Sequence, residues 1–148
     1  MTAQQIIDHL ALQRHPEGGW FRETWRAENA GRATGTCIYF LLQAGERSHW
    51  HRVDATEIWL FHAGAPLVLT LSPTDQGPAT DHLLCPDLER GAPQIIVPEN
   101  HWQAARSTGE FTLVSCTVSP GFQFQGFELA AADFDIPRAE RQARESDI

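Results

Sequence analysis

The chain has 148 residues, a length that fits one domain with a hydrophobic core. Its 19 acidic and 11 basic residues give a formal net charge of −8, which disfavours binding to the phosphate backbone of nucleic acids. The apolar runs are too short to span a bilayer, so we expect neither nucleic acid nor a membrane as a partner.

The cysteines and the first residues predict a compartment. Cys37, Cys85 and Cys116 are odd in number and widely spaced, which favours reduced thiols over a disulfide framework. Residues 1–12 lack the basic and apolar regions of a secretion signal. Both observations predict a cytoplasmic protein.

The pattern along the chain predicts one short helix followed by strands. Thr2 and Gln5 form a capping-box pattern ahead of Ile6, Ile7 and Leu10, so we expect a helix within residues 1–14. After it, β-branched, aromatic and aliphatic residues recur in short runs between Gly, Pro, Asn and Asp turns. The predicted strands cover residues 20–26, 36–42, 48–53, 57–63, 67–72, 81–84, 95–97, 102–105, 110–119 and 122–129. About ten short strands predict an all-β sandwich or closed barrel.

The end of the chain differs from this pattern. No repeat or linker divides the sequence, so residues 1–148 are predicted to be a single domain in which residues 130–148 form a tail. Pro137 opens a polar segment, residues 136–148. The sequence is compatible with either a surface helix or a frayed tail in this segment.

Potential metal ligands fall close together at His49, His51 and Glu57. On a regular strand, residues two apart point to the same face, so both imidazoles are expected on one side. Glu57 then returns on a neighbouring strand to meet them. The pattern predicts a site in which two imidazoles and one carboxylate are close together.

Four separated blocks carry a resemblance to a known family. They are His15 to Thr24 (HPEGGWFRET), His49 to Trp59 (HWHRVDATEIW), Val97-Pro98 with Trp102 to Ala105 (WQAA), and Val114 to Phe122 (VSCTVSPGF). In this order they resemble the cupin-5 or DUF985 family of the cupin superfamily. The resemblance implies a double-stranded β-helix, the jelly-roll barrel of cupins, in a small and often dimeric protein. It also implies similarity to epimerase-like cupins.

The second cupin motif departs from the general pattern. Asn100 stands at its glycine turn, where Asn tolerates left-handed geometry, and Gln103 stands where cupins have a fourth ligand histidine. His101 shares the parity of Gln103 only if the strand has already begun. The metal set implied by the resemblance is therefore His49, His51, Glu57 and Gln103, with the amide as a weak ligand. The sequence is compatible with either a bound divalent ion or a metal-free polar cluster at this site, and it does not predict the identity of the ion.

Two mechanisms follow from these residues. A metal with open positions would support a lyase or an oxygenase. Without a metal, His51 or His49 beside Glu57 is predicted to abstract a proton next to a carbonyl, as in an isomerase or epimerase acting on a polar, sugar-like substrate. The alternative is a non-catalytic protein that binds or senses a small molecule in the same pocket.

Other side chains are candidates for the lining of the pocket. Trp59 and Phe61 share the parity of Glu57 and are predicted to form an apolar wall for the substrate. Arg22, Glu23 and Arg106 are candidate polar contacts, each of which is equally expected in a surface salt bridge. Tyr39 is expected to be a core aromatic.

The sequence also predicts where Trp50 lies and whether Ser115 and Cys116 act as nucleophiles. Trp50 has the opposite parity to the histidines, so it is expected on an outer sheet face or against the partner of a homodimer. Ser115 and Cys116 have no activating base nearby in sequence, which disfavours a nucleophilic role.

Overall fold

The computed structural model describes residues 1–138 and contains one α-helix, one short 3₁₀ helix and eleven strands. The helix α1 is Ala3–Leu10. The strands are β1 (Gln13–Arg14), β2 (Trp20–Arg26), β3 (Thr36–Gln43), β4 (Arg47–Val53), β5 (Thr56–Gly64), β6 (Leu67–Ser72), β7 (Thr80–Leu84), β8 (Gln94–Val97), β9 (Trp102–Ser107), β10 (Phe111–Ser119) and β11 (Phe127–Leu129). Within residues 1–138, no helix is both long and apolar enough to cross a membrane.

The strands form two antiparallel sheets, as the predicted all-β jelly roll requires. The six-stranded sheet has the order β1-β2-β3-β10-β5-β8, and the five-stranded sheet has the order β11-β4-β9-β6-β7. A core of aliphatic and aromatic residues lies between them, and its largest fully buried members include Phe40, Trp59, Leu69 and Val114. The alternation of apolar residues seen in the sequence therefore marks the inner faces of the sheets.

The helix begins as predicted and ends earlier. The Thr2 hydroxyl accepts a hydrogen bond from the Gln5 amide, and the Gln5 side chain accepts one from the Thr2 amide, so the capping box is present. The helix ends at Leu10 because Ala11 adopts a left-handed conformation with φ of 54°. Residues 13–14 then pair with β2 as a short strand that the sequence did not predict.

The predicted strand over residues 122–129 is only partly formed. A single turn of 3₁₀ helix occupies Phe124–Gly126, and pairing with β4 is limited to Phe127–Leu129. The other strand predictions agree with the structure to within two residues at each end.

A β-bulge interrupts β4 at the predicted histidine pair. Ser48 is opposite Ala105 and His51 is opposite Gln103, so His49 and Trp50 together oppose the single residue Ala104. The extra residue breaks the two-residue alternation between the histidines. The expectation that His49 and His51 share one face is therefore wrong.

The segment after β11 packs against the outer face of the five-stranded sheet. Ile136 is buried in a cluster with Trp50, Trp102 and Ala79. Trp50 Nε1 also donates to the Asp135 carboxylate at 2.8 Å. Trp50 was predicted to lie on an outer sheet face or against the partner of a homodimer. In the structure this outer face is covered by the chain itself. Residues 136–138 pack against the domain, and the remainder of the predicted tail, residues 139–148, lies outside the described residues.

Candidate functional site

A partly enclosed cavity, here called the inner cavity, lies between the two sheets and has a volume of about 40 Å³. This volume holds a few water-sized groups. Polar side chains line one part of it, and they are His15, Glu17, Glu23, Thr36, His51, Glu57 and Cys116. An apolar wall lines the rest, formed by Phe21, Ile38, Val53, Val118, Phe122 and Phe127.

His51 lies on β4 just after the bulge and is 1% exposed. Its Nδ1 is 2.8 Å from the His49 carbonyl oxygen. Because a carbonyl oxygen only accepts, Nδ1 carries the hydrogen in this bond. In the neutral ring the Nε2 atom is then the one that holds a lone pair.

Glu57 begins a buried chain of hydrogen bonds. Gln103 Nε2 donates to Glu57 Oε1 at 2.8 Å, and Trp59 Nε1 donates to Gln103 Oε1 at the same distance. An indole N–H can only donate, so Trp59 fixes the orientation of the Gln103 amide. The amide N–H group must therefore face Glu57. Trp59 and Gln103 thus position the carboxyl group.

Glu17 is a second buried carboxyl group and comes from the turn between β1 and β2. Its side chain is 9% exposed, and it accepts a hydrogen bond from the Ser48 hydroxyl. One carboxyl oxygen is 3.3 Å from His15 Nδ1, and the other is 3.5 Å from His51 Nδ1. The turn therefore adds one carboxyl and one imidazole, that of His15, to the inner cavity.

Burial shifts the pKa values of these groups toward their neutral forms. Desolvation raises the pKa of Glu17 to about 8 and that of Glu57 to about 7. Desolvation also lowers the pKa of His15 to about 3, assisted by the nearby His51, and lowers the pKa of His51. Near neutral pH the contacts of Glu17 with both imidazoles are therefore contacts between largely uncharged groups.

His49 lies outside the inner cavity. Its Nε2 donates to the Ala131 carbonyl oxygen at 2.8 Å, and its Nδ1 is buried without a partner among the described residues. The bulge in β4 is the cause, because it turns the ring toward the segment after β11. Of the two predicted histidines, the structure brings only His51 to Glu57.

The predicted metal set does not fit a metal ion. His49 faces away, and both polar atoms of the Gln103 amide are already hydrogen-bonded, to Trp59 and Glu57. Within residues 1–138, no three His, Cys, Asp or Glu side chains are placed to hold one ion. The donor set required by the cupin resemblance is therefore not assembled.

The predicted substrate contacts have different positions. Glu23 lines the inner cavity and forms an ion pair with Arg26 at 2.9 Å. Trp59 is buried in the core, and Phe61 packs beside it, so neither lines the cavity. Arg22 instead donates to the Leu10 carbonyl oxygen on the surface.

The remaining candidates lie elsewhere. Tyr39 contacts the edge of His62 on the outer face of the six-stranded sheet. His101 is in the loop before β9, and Asn100 at the turn has φ of 64°, the left-handed geometry expected of it. Arg106 faces a separate surface cleft beside Arg47. His62 Nε2 is 2.5 Å from Ser115 Oγ, so Ser115 has a histidine neighbour that its sequence surroundings did not reveal.

His15 and Glu17 are the site residues that the sequence reasoning missed. Both belong to the HPEGG block, in which Pro16, Gly18 and Gly19 indicate a tight turn but give no sign of a cavity. In the sequence, only the family resemblance of this block pointed to a role for these two residues. Local patterns do not reveal their contact with His51, because the block and His51 are far apart along the chain.

Comparison with known proteins agrees with this architecture. A family model described as "Cupin superfamily (DUF985)" matches residues 4–130. The crystal structure of a protein from Shewanella oneidensis is 39% identical with a TM-score of 0.83, and the match covers 88% of this chain and 85% of that one. A hypothetical protein from Leishmania major is 31% identical with a TM-score of 0.79, and the match covers 88% of each chain.

More distant similarity is limited to the fold. Oxalate decarboxylase from Bacillus subtilis is 14% identical with a TM-score of 0.61, and the match covers 78% of this chain but 29% of that one. A search of curated proteins found no match. Because the family model spans most of the chain and the sheets form the expected jelly roll, the chain belongs to the DUF985 family of the cupin superfamily.

Proposed function

We propose that this protein is an enzyme that moves a proton on a small, neutral, polar substrate, with His51 and Glu57 as the acid–base pair. The observation that carries the proposal is the convergence of a buried carboxyl and a buried imidazole on one cavity. Buried groups with shifted pKa values that line a cavity are typical of catalytic sites.

The two groups have complementary protonation states. The pKa of Glu57, raised by burial to about 7, gives this carboxyl access to both forms at neutral pH. The lowered pKa of His51 keeps its ring neutral, with a lone pair on Nε2. His51 Nε2 accepts a proton from a carbon next to a carbonyl, and Glu57 supplies a proton in return. This is the proton balance of an isomerase or epimerase.

The lining favours an uncharged substrate. None of the described residues that line the inner cavity is an arginine or a lysine, whereas three are glutamates. An anionic group would thus enter without a positive partner, at a large desolvation cost. The small volume admits only the reacting end of a molecule, so a sugar-like aldehyde or ketone is the substrate class that we propose.

Solvent deuterium exchange tests the proposal directly. The protein is incubated in D₂O with a panel of aldoses, ketoses and α-hydroxy ketones, and proton NMR follows the signal of the hydrogen next to each carbonyl. We expect at least one compound to lose this signal. We expect His51→Ala to slow the loss about 100-fold or more, the usual contribution of a general acid–base group, and Glu57→Gln to slow formation of the isomerised product.

Glu128→Gln is the matched control, because Glu128 lies on β11 and pairs with Arg52 on the surface. Its exchange rate should equal that of the unmodified protein. A compound that raises the melting temperature but keeps its hydrogen would contradict the enzyme and support a binding or sensing protein. Exchange that continues unchanged in both His51→Ala and Glu57→Gln would overturn the proposed roles.

A bound divalent ion has weaker support as the alternative. Of its four predicted ligands, only His51 and Glu57 line the inner cavity. Elemental analysis that finds a stoichiometric ion in the purified protein, lost in His51→Ala, would favour it over metal-free proton transfer.

The proposal includes a homodimer in the cytoplasm. Because the segment after β11 covers Trp50, this residue does not support a dimer. The support comes from exposed apolar residues elsewhere, such as Trp25 and Ile96, which are 56% and 55% exposed. The three cysteines are free thiols, which supports a reducing compartment. Light scattering at several concentrations measures the assembly, and a monomer at all of them would contradict it.

A further inference from the structure

A surface cleft, here called the arginine cleft, lies between the outer face of the five-stranded sheet and the segment after β11, and its volume is about 210 Å³. Arg47 on β4 and Arg106 on β9 line it from the sheet, and Asp135 and Arg138 line it from the segment. Among the described residues that line the cleft, these are the charged ones. Arginines therefore predominate here, in a chain whose net charge is −8.

Two of these arginines lie directly opposite each other. Arg47 is the antiparallel cross-strand partner of Arg106. Residues paired in this way have Cβ atoms about 4.5–5.5 Å apart and side chains on the same face of the sheet. On its other side Arg106 is opposite Val68, which brings no charge. Like charges at this spacing repel each other, so the pairing costs stability unless an anion lies between them.

Within residues 1–138, the side chains of Arg47 and Arg106 form neither a hydrogen bond nor a salt bridge. This distinguishes them from the arginines that each pair with a carboxylate, which are Arg14, Arg26, Arg32, Arg52 and Arg138. The two guanidinium groups that face each other are thus the ones that the described carboxylates leave unmatched.

The carboxylates around the cleft do not cancel this charge. Arg138 is paired with Asp81 on β7. Asp135 is the one carboxylate among the described residues that line the cleft, and its Oδ1 atom accepts from Trp50 Nε1 at 2.8 Å. One carboxylate against the two facing arginines leaves the cleft with an excess of positive charge.

Phosphate is the anion that matches two facing guanidinium groups. A guanidinium presents a planar fork of N–H donors that fits two oxygens of a carboxylate or a phosphate. A carboxylate has only two oxygens, which one fork occupies. A phosphate monoester has three terminal oxygens and a charge of about −1.5 to −2 at pH 7, so it can accept from two forks at once. Arg47 and Arg106 are both exposed, so such an anion reaches them without any opening of the fold.

We propose that the arginine cleft binds a phosphate group, with Arg47 and Arg106 donating to its oxygens from opposite sides. The ligand is inorganic phosphate or a small phosphate monoester, which share this chemistry. Among the described residues, the cleft and the inner cavity have no lining residue in common. The proposal therefore goes beyond the proton transfer proposed above and does not depend on it. Bound phosphate replaces the repulsion between two like charges with two attractive contacts.

Titration of ¹⁵N-labelled protein with inorganic phosphate tests the site. Sodium chloride keeps the ionic strength constant, and two-dimensional NMR follows the backbone amides. We expect shifts that saturate at the amides of Arg47 and Arg106. Arg47→Gln and Arg106→Gln should each weaken binding about tenfold or more, because each removes charge-assisted hydrogen bonds to the anion.

Arg90→Gln is the matched control. Arg90 is also exposed and forms no side-chain hydrogen bond or salt bridge within residues 1–138, but it lines a different cleft. The substitution removes the same charge, so we expect it to change the affinity for phosphate less than about twofold. If Arg90→Gln weakens binding as much as Arg106→Gln does, phosphate responds to net charge alone and the proposed site is wrong. Shifts that do not saturate would also overturn it.

Thermal unfolding separates anion binding from a structural role of the arginines. Phosphate should raise the melting temperature of the unmodified protein and of Arg90→Gln, and it should leave that of Arg106→Gln unchanged. Without phosphate, Arg106→Gln should be at least as stable as the unmodified protein, because it removes a contact between like charges. A loss of stability in Arg106→Gln that is the same with and without phosphate would contradict the proposal.

Glycerol 3-phosphate and acetate define the ligand. Tighter binding of the monoester than of inorganic phosphate assigns the site to a phosphorylated small molecule, and weaker binding assigns it to the free ion. Acetate should bind about tenfold more weakly than phosphate, because one carboxylate engages only one fork. Acetate that binds as tightly as phosphate would overturn the assignment of a phosphate site.

Discussion

At the scale of single residues, the hydrogen-bond donors and acceptors of each side chain decide its role in the site. Gln103 occupies a position where cupins have a ligand, yet its oxygen accepts from Trp59 and its nitrogen donates to Glu57. An amide can do both at once, whereas a neutral imidazole has one donor and one acceptor on opposite sides of its ring. Gln103 is thus suited to orient a carboxyl group, and less suited to bind an ion.

We expect Gln103→Leu to lower the free energy of unfolding by about 2 kcal/mol or more, because the buried Trp59 N–H loses its acceptor. Urea unfolding followed by tryptophan fluorescence measures the change. Gln94→Leu is the matched control, because Gln94 is an exposed glutamine on a strand. Equal effects of the two substitutions would contradict the structural role of Gln103.

We also expect divalent ions to give no stabilisation that depends on His49. His49 faces the segment after β11, so His49→Ala removes no ligand from the inner cavity. Thermal unfolding with added Mn²⁺, Zn²⁺ or Ni²⁺ measures this for the unmodified protein and for His49→Ala. A rise in melting temperature that disappears in His49→Ala would show that the predicted metal set does assemble.

At the scale of elements, two irregular features place the site. The bulge in β4 sends His51 inward and His49 outward, and the tight turn before β2 carries His15 and Glu17 to the same cavity. Gly18 permits the turn to approach β4 without a side chain. Regular strands alone would have given a different set of residues.

We expect Gly18→Ala to destabilise the protein by about 1–3 kcal/mol more than Gly45→Ala does. Both glycines have positive φ, at 107° and 82°, so both substitutions carry a backbone penalty. Only at Gly18 does the added Cβ overlap a backbone atom, since nothing lies within 4 Å of the Cβ position at Gly45. Urea unfolding of both variants gives the comparison, and equal losses would contradict this close approach.

The segment after β11 behaves as part of the core. Ile136 is 2% exposed, so we expect Ile136→Ala to cost about 2–4 kcal/mol by leaving a cavity beside Trp50 and Trp102. A red shift of tryptophan emission should accompany the loss. Leu88→Ala is the control, because Leu88 is 77% exposed, and it should change the stability little.

At the scale of the whole molecule, two buried glutamates and two buried histidines of the inner cavity set the pH dependence of stability between about pH 3 and 8. The pKa values of Glu17 and Glu57 are raised from 4.5, so the folded state loses stability as pH rises above 4.5 toward about 8. The pKa values of His15 and His51 are lowered from 6.5, so the folded state loses stability as pH falls below 6.5. Between pH 4.5 and 6.5 the two effects oppose each other.

We therefore expect stability to be greatest within this window and to decline on both sides. Urea unfolding across a series of pH values measures the curve. In Glu17→Gln the decline between pH 6.5 and 8 should be smaller, because the amide has no proton to lose. A variant curve parallel to that of the unmodified protein would contradict the raised pKa of Glu17.

The sequence by itself determined the class of fold, the capped helix, most strand boundaries and the position of the pocket near His51 and Glu57. These follow from local patterns: alternation marks a strand face, and Gly, Pro and Asn mark turns. The parity of Glu57 correctly indicated an inward side chain because β5 is regular at that position.

Only the tertiary structure decided which polar residues share the cavity. A single extra residue in β4 reverses the alternation on which the assignment of His49 depended, and parity carries no signal of such a bulge. Glu17 meets His51 across 33 intervening residues, a contact made by the packing of a turn on a strand. The histidine pair therefore located the pocket, and the folded chain replaced His49 with His15 and Glu17.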